Sequence, residues 1–138
     1  MLSRPTADTL LGTGNSESLA ARVNMANDWG ADYFISLHAN ASSISSASGS
    51  EAFVYNLGGA AERFAEDILI GLTATTGLPD RGVFARPTLY VLRRTRMPAT
   101  LVELGFITNP GDATLMSENP QLFAQGLYNG INRYFGLA

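Results

Sequence analysis

Several stretches of the chain place hydrophobic residues at helical spacing. The clearest is Ala60–Thr76, where apolar residues recur at positions i, i+3, i+4, i+7 and i+11 and Gly77 follows as a stop. Caps and prolines mark the other candidates. The predicted helices are a segment from the N-cap candidate Ser16 to Gly30, Ala60–Thr76, a short segment from Asn109-Pro110 through Met116, and a last helix that opens at Asn119-Pro120.

Short apolar runs rich in β-branched and aromatic residues lie between these helices and predict strands. The two most apolar runs are hydrophobic at successive positions, which is typical of strands buried on both faces of a parallel sheet. The predicted strands are the end of one at Met1–Arg4, then Asp32–His38, Glu51–Asn56, Leu89–Arg93 and Ala99–Phe106. The serine-rich segment Ala39–Gly49 is predicted to be a loop.

The alternation of strands and helices predicts an α/β fold: a single layered domain with a mostly parallel, twisted sheet covered by helices on both faces. A length of 138 residues fits one domain. The chain opens on the end of a strand, so we expect a β-α unit upstream of Met1 to be missing from this sequence.

Composition narrows the functional classes. The net charge is −3 and all nine basic residues are arginines, so the sequence lacks the basic surface of a nucleic-acid-binding protein. Cysteine is absent, which excludes thiol nucleophiles and cysteine zinc sites. The long uncharged run Tyr33–Ser50 is too rich in serine to cross a membrane, and Met1–Pro5 shows no signal-peptide core.

Glu103 lies in the middle of a strongly apolar strand. Strand alternation puts it on one face with Leu101 and Gly105. A buried carboxylate needs a partner, so two interpretations stay open: an ion pair with an arginine such as Arg93 or Arg94, or a general base whose pKa is raised by burial.

His38 is the one histidine of the chain and closes the strand Asp32–His38. The carboxyl end of a parallel strand is where α/β sheets bind ligands, so a metal-ligand role and a purely structural role both stay open. Asn40, two residues later, is placed either to orient a substrate or to cap the turn.

The segments around these two residues resemble one family. Ala31–Ala41 (ADYFISLHANA) is similar to the second zinc-ligand motif of the zinc-dependent N-acetylmuramoyl-L-alanine amidases of the Amidase_3 type, and Met97–Asn109 (MPATLVELGFITN) looks like their catalytic motif. Weaker matches stand in the same order along the chain. They are Arg22 with Ala26-Asn27, Gly49-Ser50-Glu51, a turn at Arg81-Gly82 before Val91-Leu92-Arg93, Asp112, and Gly130-Ile131 with Tyr134-Phe135.

The resemblance implies a peptidoglycan hydrolase that cleaves the amide between N-acetylmuramic acid and the L-alanine of the stem peptide. It implies one zinc ion with His38 as a ligand, Glu103 as the general base that deprotonates the zinc-bound water, and Asn40 and Arg81 as substrate-binding residues. The substrate implies action outside the cytoplasm. The interpretation requires that His38 and Glu103 lie on the same side of the sheet, within reach of one ion.

The resemblance also has a gap. The other His and Glu ligands of the family are absent, and the match of Met1–Arg4 and Pro5–Asp8 to the second strand and its turn places both ligands upstream of Met1. Glu17 precedes the Arg22 helix and does not replace them. We therefore expect residues 1–138 to be an amidase catalytic domain without its first strand and helix, with little hydrolytic activity alone and self-association through an exposed sheet edge.

Other classes fit less well. A truncated, inactive or non-catalytic cell-wall-binding fragment of such an amidase remains the alternative. A serine hydrolase would need a Gly-x-Ser-x-Gly elbow, which Ser48-Gly49-Ser50 does not supply. A nucleotide-binding module would need a phosphate-binding glycine pattern, and Leu57–Ala60 lacks both its spacing and its lysine.

Overall fold

A computed structural model describes residues 1–137 and contains five helices and four strands in this range. The helices are α1 (Asn15–Trp29), α2 (Ala60–Thr76), α3 (Tyr90–Arg93), α4 (Pro110–Glu118) and α5 (Pro120–Phe135). The strands are β1 (Phe34–Asn40), β2 (Ser50–Val54), β3 (Asp80–Ala85) and β4 (Ala99–Phe106). None of these helices combines the length and apolar character that a bilayer crossing requires.

The four strands form one sheet in the order β1-β4-β2-β3. Strands β1 and β4 are parallel, as are β2 and β3, while β2 and β4 are antiparallel. The predicted α/β class with a mostly parallel sheet is confirmed, and the antiparallel pair at its centre is the exception. Strand β1 lies at one edge, because no described strand pairs with its outer side.

Helices α2 and α5 cover one face of the sheet and enclose the larger core. Phe64, Ile68 and Leu72 of α2 are at most 1% exposed and pack on Val54 and Val102 of the central strands. The two helices approach unusually closely, and glycines make this possible. A Cβ on Gly130 would lie 2.5 Å from the Cα of Ile68, closer than any side chain tolerates.

Helices α1 and α3 cover part of the other face. A smaller cluster of Val23, Phe53, Val91, Leu92, Ala99 and Leu101 joins them to β2 and β4. On β4 this cluster ends at Leu101, one alternation step before Glu103. The remainder of this face, toward the carboxyl end of β4, is therefore left for polar side chains.

Two strand predictions are wrong. Met1–Arg4 forms no strand in the described chain; instead the Arg4 side chain donates to the carbonyl oxygens of Ala7 and Thr9 in a local turn. The run Leu89–Arg93 contains the short helix α3, because Val91 and Leu92 are both buried on one side, which a strand cannot achieve with adjacent residues.

Strand β3 replaces the turn that the sequence predicts at Arg81-Gly82, since both residues lie within Asp80–Ala85. The strand runs along the sheet edge, is largely exposed, and carries Gly82 at a φ of 97° where its register shifts against β2. The predicted N-cap of the first helix is also displaced. Helix α1 begins at Asn15 after the cap residue Gly14, so Ser16 is inside the first turn.

Candidate active site

Three side chains form a row across three neighbouring strands. His38 of β1 is in register with Glu103 of β4, and Glu103 is in turn directly opposite Glu51 of β2. Residues in register on adjacent strands project from the same face of the sheet, so the imidazole and both carboxyl groups share the face that α1 and α3 leave open. The requirement that His38 and Glu103 lie on one side of the sheet is met.

Glu103 is a carboxyl group with an unpartnered oxygen. Its Oε2 atom is buried and has no hydrogen-bond partner among residues 1–137. Burial raises the pKa of the Glu103 carboxyl, the negative charge of Glu51 raises it further, and the positive charge of Arg86 opposes both. The group therefore holds a proton more readily than an ordinary glutamate.

The ion-pair interpretation of Glu103 is wrong. Within the described chain the salt bridges are Arg81–Glu51 and Arg133–Asp67, and Glu103 takes part in neither. Arg93 lies on α3 rather than on a neighbouring strand, because the segment predicted as a strand is helical. Of the two interpretations, the general base remains, because the Glu103 carboxyl group is not paired with an arginine.

His38 is held by its own strand. Its Nε2 lies 2.9 Å from Oγ of the buried Ser36, two residues earlier on the same face. This contact orients the ring and leaves Nδ1 without a protein partner in residues 1–137. Partial burial lowers the pKa of the imidazole, and the nearby charge of Arg22 lowers it further, which favours the neutral form that binds metals.

Glu51 joins the two predicted substrate-binding residues into one network. Asn40 Nδ2 donates to Glu51 Oε1 at 2.7 Å, and Arg81 Nε donates to Glu51 Oε2 at 3.2 Å. The Asn40 carboxamide also accepts from the Ala41 amide at 2.9 Å, so both of its ends are fixed. Asn40 and Arg81 are thus brought together beside Glu103.

Glu51 is a site residue that the sequence does not single out, since it enters there only within the matching tripeptide Gly49-Ser50-Glu51. One signal for it is nevertheless present in the sequence. Alternation along the strand puts Glu51 on the same face as Phe53, so its carboxylate at the start of a buried strand needs partners as much as Glu103 does.

Asp112 anchors the serine-rich loop beside the site. It is 1% exposed and accepts from Ser48 Oγ at 2.6 Å and from the amides of Gly49 and Phe106 at 3.0 Å each. The carboxylate therefore ties the loop before β2 to the end of β4. This contact fixes the rim of the face that carries Glu51 and Glu103.

The side chains present do not complete a metal site. No group of three or more His, Asp or Glu side chains with suitable spacing occurs between residues 1 and 137. His38 offers one free ring nitrogen. The buried oxygen of Glu103 has no hydrogen-bond partner among residues 1–137, so a further polar group or ion would fit beside it. The described residues supply one candidate metal ligand, His38, and not a complete set of ligands.

Comparison with known proteins decides the family. The sequence profile described as Amidase_3, N-acetylmuramoyl-L-alanine amidase, matches residues 1–133. The chain belongs to the Amidase_3 family. Proteins of this family are generally zinc-dependent and act on the cell wall.

Two curated relatives are bacterial amidases. The chain is 40% identical over 122 residues to N-acetylmuramoyl-L-alanine amidase LytC of Bacillus subtilis, a match covering 86% of this chain and 24% of that protein. It is 39% identical over 124 residues to CwlM of Bacillus licheniformis, covering 88% of this chain and 47% of that protein. The chain thus spans a quarter to a half of the length of these two relatives.

Solved structures carry the same fold. The catalytic domain of CwlV from Bacillus (Paenibacillus) polymyxa superposes with a TM-score of 0.82 at 35% identity, covering all of this chain and 73% of that chain. The CwlD amidase of Clostridioides difficile, solved with the GerS lipoprotein, gives a TM-score of 0.88 at 23% identity and supports the fold alone. About a quarter of each structure therefore has no counterpart in this Amidase_3 chain.

Proposed function

We propose that this chain carries the catalytic base and one metal ligand of a peptidoglycan amidase, which hydrolyses the bond between N-acetylmuramic acid and the L-alanine of the stem peptide. The observation that supports it best is the in-register pair of His38 and Glu103, with a buried carboxylate oxygen that has no partner in residues 1–137. Family membership supports the reaction class. The alternative of a non-catalytic wall-binding module is not favoured, because LytC and CwlM of Bacillus licheniformis are amidases.

Glu103 is the group that moves protons. Its carboxylate takes a proton from the attacking water as the water oxygen bonds to the carbonyl carbon. It then delivers that proton to the amide nitrogen as the carbon–nitrogen bond breaks. A raised pKa suits both steps, because the group is a stronger base than an ordinary glutamate and still releases its proton to the amine.

His38 binds zinc in this proposal, and the other His and Glu ligands come from outside the 138 residues of this chain. Zinc supplies a Lewis acid that polarises the carbonyl and acidifies water. The chain's own contribution is orientation. Ser36 fixes the His38 ring by its contact with one nitrogen, in the manner by which outer hydrogen bonds orient metal-binding histidines.

Asn40 and Arg81 bind substrate in this proposal. Asn40 donates to one carboxylate oxygen of Glu51 and Arg81 donates to the other. These two hydrogen bonds fix the amide and guanidinium groups beside Glu103. The remaining donors on the two side chains suit the carbonyl oxygens of a peptide. Peptidoglycan as substrate implies that the protein works outside the cytoplasm.

The edge of β1 is the surface through which we expect the chain to associate with a second copy. The amide of Phe34 and the carbonyl of Asn40 point to β4, so Ile35, Leu37 and Ala39 direct their backbone groups outward. The apolar side chain of Leu37, which lies along this edge, is 51% exposed. An unpaired edge with apolar side chains favours strand pairing between molecules.

The test compares two proteins. One is the 138-residue chain; the other is the same chain fused at Met1 to the part of the CwlV catalytic domain that precedes its matching region. We expect the fusion to bind one zinc ion by elemental analysis and to release stem peptides from peptidoglycan. We expect the shorter chain to do neither.

Substitutions assign the roles within the fusion. Glu103→Gln is expected to keep zinc and lose turnover, and His38→Ala to lose zinc as well. Arg63→Met, on the far side of the sheet in α2, is the control that leaves both unchanged. Full turnover by the shorter chain would contradict the shared metal site, and an active Glu103→Gln fusion would contradict the base.

A further inference from the structure

Arg86 reaches the open face of the sheet from just beyond β3. Its backbone amide donates to Val54 O at 2.8 Å, which extends the pairing with β2 past Ala85. Its guanidinium carbon lies 4.3 Å from the centre of the Phe53 ring. Phe53 and Glu51 project from the same face of β2, so the guanidinium lies on the face that carries Glu103.

The Arg86 guanidinium has no acceptor among residues 1–137. In that range its side chain makes no hydrogen bond and no salt bridge, whereas Arg81 and Arg133 each contact a carboxylate. Its attraction to the aromatic ring fixes its position and leaves its five N–H donors free. Arg86 is also close enough to Glu103 for its charge to act on that carboxyl group.

The site needs a positive charge at this position if its ligand is anionic. Glu103, whose carboxyl group has an unpartnered oxygen among residues 1–137, repels anions from the face when it is ionised. Arg81 is already neutralised by Glu51, so it offers little to an incoming carboxylate. Of these two arginines beside β2, Arg86 is therefore the one whose charge remains available to a ligand.

We propose that Arg86 binds a carboxylate of the substrate's peptide stem, and so selects stems that carry a free carboxylate close to the cleaved amide. This inference rests on the proposed function, because the stem peptide is the substrate of that reaction. A guanidinium held over an aromatic ring presents its planar fork to a carboxylate, which accepts two parallel hydrogen bonds. Phe84, in register with Phe53 and 47% exposed, offers an apolar surface beside the same position.

Two ligands that differ in one group test the proposal. N-acetylmuramoyl-L-alanyl-D-glutamic acid has a carboxylate where N-acetylmuramoyl-L-alanyl-D-isoglutamine has a carboxamide. Each is titrated into the 138-residue chain, and the dissociation constant is measured by NMR chemical-shift changes. We expect the acid to bind about fivefold more tightly, the size of one partly exposed ion pair.

Variants locate the preference. Arg86→Met is expected to bind both ligands equally, and Arg86→Lys to keep part of the preference because it retains the charge without the fork. Arg63→Met, which removes another exposed arginine on the opposite face, should bind as the unaltered chain does. Thermal unfolding of each variant confirms that it is folded.

The outcomes separate this inference from the proposed function. Equal binding of both ligands by the unaltered chain, or a preference that survives Arg86→Met, overturns the role of Arg86 and leaves the amidase proposal standing. If neither ligand binds the unaltered chain, the role of Arg86 is overturned too. Peptide release by the CwlV fusion decides the amidase proposal independently of either result.

Discussion

Replacing Glu103 by glutamine should stabilise the 138-residue chain at neutral and alkaline pH. The carboxylate has a buried oxygen without a partner in residues 1–137, and it faces Glu51 across an antiparallel pair where Cβ atoms lie about 5 Å apart. An unsatisfied buried group costs about 1–3 kcal/mol and more when it is charged, and glutamine removes only the part of this cost that comes from the charge. Because Glu103 is only partly buried, water screens its charge, and we expect a gain near the low end, about 1 kcal/mol.

The stability gained by Glu103→Gln should increase as the pH rises. The pKa of Glu103 is raised in the folded chain, so folded molecules hold a proton that unfolded molecules have released. Stability is therefore lost as pH rises from the ordinary glutamate pKa through the raised one. The advantage of Glu103→Gln should be small at pH 4 and complete at pH 8.

The measurement is thermal unfolding followed by circular dichroism at pH 4 and pH 8. A difference of about 1 kcal/mol corresponds to roughly 4 °C in Tm for a domain of this size. Glu51→Gln is the matched control, because glutamine keeps only one of the two oxygens that accept from Asn40 and Arg81, so this variant should gain no stability. A Glu103→Gln variant that is less stable at pH 8, or equally shifted at both pH values, would refute the reasoning.

Three further substitutions test the packing, the loop anchor and the edge. Gly130→Ala should lower the free energy of unfolding in urea by about 3 kcal/mol, since its Cβ meets the Ile68 backbone at 2.5 Å. Gly14→Ala, with nothing within 4 Å, should cost less than about 1 kcal/mol, which is the preference for glycine over alanine at the cap of α1. Asp112→Ala should lower the free energy of unfolding by about 2 kcal/mol, because the buried N–H groups of Gly49 and Phe106 then lose the acceptor that Oδ2 now supplies; an unchanged urea midpoint would contradict the anchor. Leu37→Lys should shift sedimentation of concentrated protein toward monomer, and a strictly monomeric unaltered chain would argue against edge pairing.

The strongest local patterns predict their elements correctly. Helix α2 and strand β4 have the predicted bounds, and α5 begins at the predicted Pro120. In each of these segments the period of the hydrophobic residues agrees with the burial that the fold imposes. The structure also explains Gly126 and Gly130, because only glycine allows the backbones of α2 and α5 to meet there.

The weak patterns fail where tertiary contacts decide. Leu89–Arg93 is too short for its hydrophobic period to distinguish strand from helix, and packing against α1 and β4 makes it α3. Strand β3 has an exposed, glycine-containing sequence and is a strand because β2 offers it a hydrogen-bonding edge. Neither outcome is encoded in a window of five or six residues.

The site shows the same division. Sequence alone determined that Glu103 is an isolated carboxyl group among apolar neighbours and that His38 lies on a strand, because both facts follow from side-chain type and strand alternation. The predicted end at His38 and the predicted burial are wrong, since β1 continues to Asn40 and is a partly exposed edge strand. Only the tertiary structure decided that these residues stand in register, that Glu51 completes the row, and that Arg86 reaches it from β3. Register between strands depends on how separate segments pair and pack, and no single segment carries that information.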